Sequence, residues 1–171
     1  MKRIIKIVGI TILVLVIGLA GFAWWSLQPR PEPRELPADI VSMDTTRGRA
    51  LLEGAEFHAD FVPLSQHFVA QSLKSYCGVA SAVTVLSAMG EDVTQKSFFT
   101  DEASQVRSRM AVTFGGMTLD DLAGLLVAHG ADVSIHHADS FTVETLRGAV
   151  ATNLSREGDY MLVNYQREEL G

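Results

Sequence analysis

Gln71-Ser72-Leu73-Lys74-Ser75-Tyr76-Cys77-Gly78-Val79-Ala80-Ser81-Ala82-Val83-Thr84-Val85-Leu86 is the stretch around which the rest of this chain can be organised. From Gly78 to Met89 the apolar residues Val79, Val83, Leu86 and Met89 recur at helical spacing, with Ala80, Ala82 and Ala88 beside them, which predicts a buried helix. Gly90 is a natural C-terminal stop, and Ser75 can serve near the N-terminus. Cys77 then falls in the first turn, where unpaired backbone N–H groups and the helix dipole favour negative charge on sulfur. Gly78 leaves no side chain to crowd an approaching carbonyl, and Tyr76 can wall a pocket. Attack by sulfur on an amide creates an oxyanion, which needs donors aimed at it. Gln71, six residues before Cys77, can supply one, and the Cys77 backbone N–H the other. The bland alternative is a buried, inert cysteine.

Outward from this helix the pattern continues. Thr118 to Asp121 matches a capping box in its Asp variant, and it leads into an apolar stripe through Leu119, Leu122, Leu125 and Leu126 that ends at Gly130. Asp132 to His137 alternates as a short strand would. Thr142 to Leu154 shows helical spacing through Val143, Leu146 and Val150, and Tyr160 to Tyr165 reads as a second strand. A first core segment is expected near Phe57 to Leu64, with Arg47 to Ala55 a short helix or loop before it. Helices first and strands later predict an α+β domain.

The N-terminus is of another kind. From Ile7 to Trp25 the only side chain that is neither apolar nor glycine is Thr11, and 19 helical residues reach roughly the thickness of a bilayer's hydrocarbon layer. Lys2, Arg3 and Lys6 precede the run, so the positive-inside bias keeps the N-terminus cytoplasmic and places the rest outside, in a bacterial periplasm. Length favours an uncleaved anchor in the inner membrane over a cleaved signal peptide releasing the domain into the periplasm. Four of the five prolines lie between Pro29 and Pro37, which favours an extended spacer. The resulting division is a membrane anchor or signal peptide at 1–28, a Pro-rich linker at 29–55 and a catalytic domain at 56–171. Setting Lys2, Arg3 and Lys6 aside from the 14 Lys+Arg leaves 11 against 20 Asp+Glu, a poor surface for nucleic acid. The single cysteine excludes an internal disulfide and any CxxC metal or redox site.

Phe68-Val-Ala-Gln71 followed by Ser75 through Leu86, with Phe98-Phe-Thr100, Gly116-Met-Thr-Leu-Asp-Asp-Leu122 and His129-Gly130, resembles the phytochelatin synthase family. The resemblance runs from about Phe57 to the last residue. It implies the N-terminal part of a papain-like cysteine protease fold, preceded here by one transmembrane helix. It further implies attack of Cys77 on the Cys–Gly bond of glutathione, with Gln71 in the oxyanion hole, release of glycine, and a γ-glutamylcysteinyl thioester. The acyl group then passes to a second glutathione, giving phytochelatin, or to water. No tightly bound cofactor and no protein metal site follow from the resemblance. Heavy-metal ions such as Cd or Zn are expected to act as metal–glutathione complexes. Asn164, in Leu162-Val-Asn-Tyr165, matches a family position that helps hold the γ-glutamyl end of the substrate. A homodimer is left open.

A thiolate nucleophile needs an imidazole within reach and a group to orient it. In the family that base follows a Gly-Gly-His motif, which this sequence does not reach before Gly171, so the chain reads as truncated and inactive by itself. The local histidines are poor substitutes. His129 falls in a helix's last turn, His136 and His137 face opposite ways on a strand, and His58 and His67 precede the nucleophile. Asp120 and Asp121 are explained by helix capping, and Arg107 and Arg109 by a solvated face. Two rivals remain: a leader-peptide-cleaving or other papain-like peptidase, and a non-catalytic, membrane-tethered binding module.

Overall fold

The computed structural model describes residues 2–29 and 40–165. Its helices are α1 (Lys2–Leu27), α2 (Thr46–Glu53), α3 (Phe61–His67), α4 (Cys77–Ala88), α5 (Asp101–Val106), α6 (Arg109–Gly115), α7 (Leu119–Ala128) and α8 (Val143–Leu154), with a 3-10 turn at Ala138–Ser140. Residues Ile5–Leu27 of α1 are long and apolar enough to cross a membrane, a property that signal sequences share. The 23-residue span is about 35 Å at the helical rise, against a hydrocarbon layer of about 30 Å. Most of the Pro-rich segment expected after it, residues 30–39, lies outside the described residues. Where a short helix or loop is expected at 47–55, α2 forms, its first turn capped by Thr45, whose hydroxyl accepts from the Gly48 N–H at 3.0 Å.

The core gathers on α4. Val79, Ala82, Val83 and Leu86 of that helix are buried with Tyr76 just before it, against Leu122, Leu125 and Leu126 of α7 and against Phe98, Ala103 and Val112. Side chains as fully buried as Phe98, Leu86 and Leu125 each stabilise the fold by about 1.5–3 kcal/mol. Helices α3 and α7 pack on α4, and α5 packs on α7. The α5–α7 approach is close because position 124 is glycine: a Cβ there would come within 2.8 Å of Val106 Cγ1. His129 caps the end of α7, stacks on Phe98 with ring centroids 4.8 Å apart, and donates its Nε2–H to the Phe98 carbonyl at 2.7 Å.

The expected α+β, papain-like architecture is not what the structure shows. Among the described residues there is no strand, and the domain is helical. Asp132–His137 and Tyr160–Tyr165 keep part of their alternation, with Val133 and Leu162 resting on the core while Asp132, Ser134 and Val163 are exposed. A strand, however, is defined by a partner that takes up its N–H and C=O groups. Neither segment exchanges ladder hydrogen bonds with another among the described residues, so the alternating pattern produces one-sided burial without a sheet.

Candidate functional site

Cys77 is the first residue of α4 and is exposed. The helix start is built without a side-chain cap: Tyr76 occupies the N-cap position and makes none. Ser75, expected to help there, instead donates its hydroxyl to the Thr113 carbonyl at 2.8 Å. Tyr76 is buried, with its hydroxyl 3.2 Å from Thr113 Oγ1 and its ring 6.0 Å from Phe99. These contacts tie the segment before the nucleophile to α6. Among the described residues, the first-turn N–H groups, that of Cys77 included, have no side-chain acceptor.

The segment from Val69 to Tyr76 is held by amide side chains. Gln71 donates both of its Nε2 hydrogens locally, to the carbonyls of Leu73 and Lys74, each at 2.9 Å. Gln95 works from the other side, donating to the Ala70 carbonyl at 2.7 Å and accepting from the Ser72 N–H and hydroxyl at 2.9 and 2.8 Å. Thr84, inside α4, accepts from the Val69 N–H at 3.3 Å. At the end of α1, the Leu27 carbonyl accepts from the Lys74 N–H at 3.0 Å. Gln95 carried no signal in the sequence, since nothing local relates it to a loop more than 20 residues away.

A second loop closes on the nucleophile from α7. Gly116, with φ of 68°, turns the chain so that Met117 lies against Gly78, where a Cβ would sit only 2.6 Å from the Met117 sulfur. Arg107 holds this loop by donating Nε–H to the Gly116 carbonyl at 2.8 Å and pairing with Asp121 at 3.3 Å. Asp121 in turn accepts from the Thr118 N–H at 2.9 Å, completing the capping box anticipated from the sequence. The Thr118 backbone hydrogen bond, opposed by burial and aided by the Thr118 hydroxyl and Arg107, holds the Asp121 carboxyl below its ordinary range. Arg107 therefore does not sit on a solvated face. Arg109 bonds the Lys96 carbonyl at 2.6 Å with its guanidinium over Phe99, 5.0 Å from the ring centre.

Among the described residues, none of the remaining candidates shares a hydrogen bond with Cys77. Asn164 is exposed, and among the described residues no hydrogen bond joins it to Cys77 or Gln71. His137 pairs with exposed Asp120 at 3.1 Å, His136 meets Phe141 edge-on, and His58 bonds the Ala55 carbonyl at 2.9 Å.

The chain is similar in sequence to known proteins. Over 129 residues the chain is 27% identical to glutathione gamma-glutamylcysteinyltransferase 3 of Lotus japonicus, covering 72% of this chain and 26% of that relative. It thus spans about a quarter of the relative's length. A phytochelatin synthase family model matches residues 32–171, taking in Cys77, both loops that close on it and every helix after α1. With most of the chain matched and the sequence blocks around Cys77 and Met117 brought together in space, this protein belongs to the phytochelatin synthase family.

Proposed function

We propose that this chain provides the nucleophile of a glutathione γ-glutamylcysteinyltransferase. The observation that carries the reading is Cys77: a lone, exposed thiol at the first residue of a helix whose opening N–H groups are uncapped. Its sulfur attacks the carbonyl carbon of the Cys–Gly bond of glutathione, the C–N bond breaks, and glycine leaves with the proton. The product is a γ-glutamylcysteinyl thioester on Cys77. The α-amine of a second glutathione, or water, then takes the acyl group, the C–S bond breaks, and the proton that the amine or water loses returns to the Cys77 sulfur. The Cys77 N–H stabilises the oxyanion in both halves of the reaction. Gln71 adds a second donor by releasing one of the two carbonyls that it holds at 2.9 Å. The γ-glutamyl end is assigned to Asn164, and metal ions are assigned to the substrate as thiolate complexes. Helix α1 is assigned as an inner-membrane anchor with the domain on the periplasmic side, in keeping with the flanking Lys and Arg.

A binding module without turnover is the second reading, favoured by the engagement of both Gln71 donors. The test is intact mass spectrometry of the detergent-solubilised chain with glutathione, with and without Cd2+, alongside glycine quantification. An acyl adduct that disappears in Cys77→Ser, together with released glycine, supports the transferase. Saturable glutathione binding with neither adduct nor glycine, persisting when exogenous imidazole is supplied as the base, supports the module. Cleavage of peptides but not of glutathione rejects both.

A further inference from the structure

Away from Cys77, the turn before α3 is stitched to the end of α8 by the Ala59 N–H, which donates to the Leu154 carbonyl at 3.0 Å. Two side chains beside this stitch are buried: Asp60 is 4% exposed and Asn153 8% exposed. Among the described residues, Oδ1 of each is a buried oxygen without a hydrogen-bond partner. Asp60 holds the N-cap position of α3 yet makes no cap hydrogen bond, so its carboxylate is not spent on the helix. The Asn153 amide is oriented by its other end, which donates Nδ2–H to the Asp159 carbonyl at 2.6 Å and leaves Oδ1 as a bare acceptor. Asp159 adds a second carboxylate, near enough that its charge, after the larger effect of burial, pushes the Asp60 carboxyl upward. Asp159 itself pairs with Arg156 at 3.7 Å, with both side chains more than half exposed.

Acceptors without donors are costly when buried, a carboxylate most of all. What such a group lacks is a cation. Two carboxylates and an amide oxygen, with no sulfur or imidazole among them, form a donor set suited to a hard ion that accepts mixed oxygen ligands and water. We propose that Asp60, Asn153 and Asp159 form an oxygen-lined site for a divalent cation of the calcium type, which locks the start of α3 to the end of α8. The site is independent of the transferase reading, and its ligands are chemically unlike the thiolates that carry thiophilic metals.

The full chain in detergent, stripped with EDTA, is titrated with Ca2+ and Mg2+ while its unfolding temperature is followed. Tb3+ is added as an oxygen-seeking probe excited through Tyr160, the neighbour of Asp159. A saturable rise of several degrees with Ca2+, and Tb3+ emission that Ca2+ displaces, are expected. Asp60→Asn keeps the side-chain shape and should abolish both effects, while Asp159→Asn, at an exposed position, should weaken them at least tenfold in midpoint. An unchanged unfolding temperature in the parent protein, or a full response in Asp60→Asn, overturns the proposal. So does a rise on acidification alone with none from Ca2+, which would mean that a proton on Asp60 serves where a cation is proposed.

Discussion

Replacing Gly78 by alanine should change sign with the residue at position 117. A Cβ at position 78 would lie 2.6 Å from Met117 Sδ, 3.2 Å from its Cγ and 3.4 Å from its Cε. Overpacking of this kind costs about 1–3 kcal/mol. Two effects offset it: alanine is favoured over glycine in a helix by about 0.5–1 kcal/mol, and a methionine side chain can partly swing away. The net expectation for Gly78→Ala is a loss of about 0.5–2 kcal/mol. In a Met117→Ala background the obstruction is gone, and the same substitution should stabilise by about 0.5–1 kcal/mol, giving a coupling of about 1–3 kcal/mol. Calorimetric unfolding of the parent, the two single variants and the double variant measures that coupling. Iodoacetamide labelling of Cys77 in each then reports whether displacing Met117 opens the thiol. Equal effects of Gly78→Ala in both backgrounds, within about 0.5 kcal/mol, would refute the contact between Met117 and the start of α4.

Loss of Arg107 should loosen the same loop: Arg107→Ala removes the bond to the Gly116 carbonyl and strands Asp121, for about 1–3 kcal/mol by thermal unfolding. Arg107→Lys should recover little of it, because an ammonium cannot copy the guanidinium's two directed contacts. Asp121 sets an acid limb. Its folded carboxyl titrates below the ordinary Asp value of about 3.9, so its contribution is full above that pH and is lost as pH falls through the lower, folded value. Unfolding scans of Asp121→Asn should therefore lie below the parent at neutral pH and converge with it in acid. Gln71→Leu and Gln95→Leu both release the segment before Cys77 and should cost about 1–3 kcal/mol each in stability. In glutathione turnover, Gln71→Leu alone should lose a further factor of about 10²–10³ if Gln71 donates to the oxyanion. Equal losses for the two variants would reduce Gln71 to a loop clamp.

The elements written in local chemistry were legible before any coordinates. Val79, Val83 and Leu86 repeat within a few residues, and the capping box between Thr118 and Asp121 spans a single turn, so both helices and the placing of a cysteine at the start of α4 follow from spacing alone. The apolar run that became α1 is likewise a matter of composition and length. Distant partners were not legible. That Ser75 serves Thr113 rather than its own helix, that both Gln71 hydrogens are taken by neighbouring carbonyls, that Gln95 braces a loop 23 residues before it and that Arg107 grips Gly116 depend on how the helices dock. The expected strands at 132–137 and 160–165 failed for the same reason. Alternation can say which side of a segment seeks the core, as Val133 and Leu162 do, but a strand exists only where another backbone arrives to take its hydrogen bonds, and that meeting is decided in three dimensions.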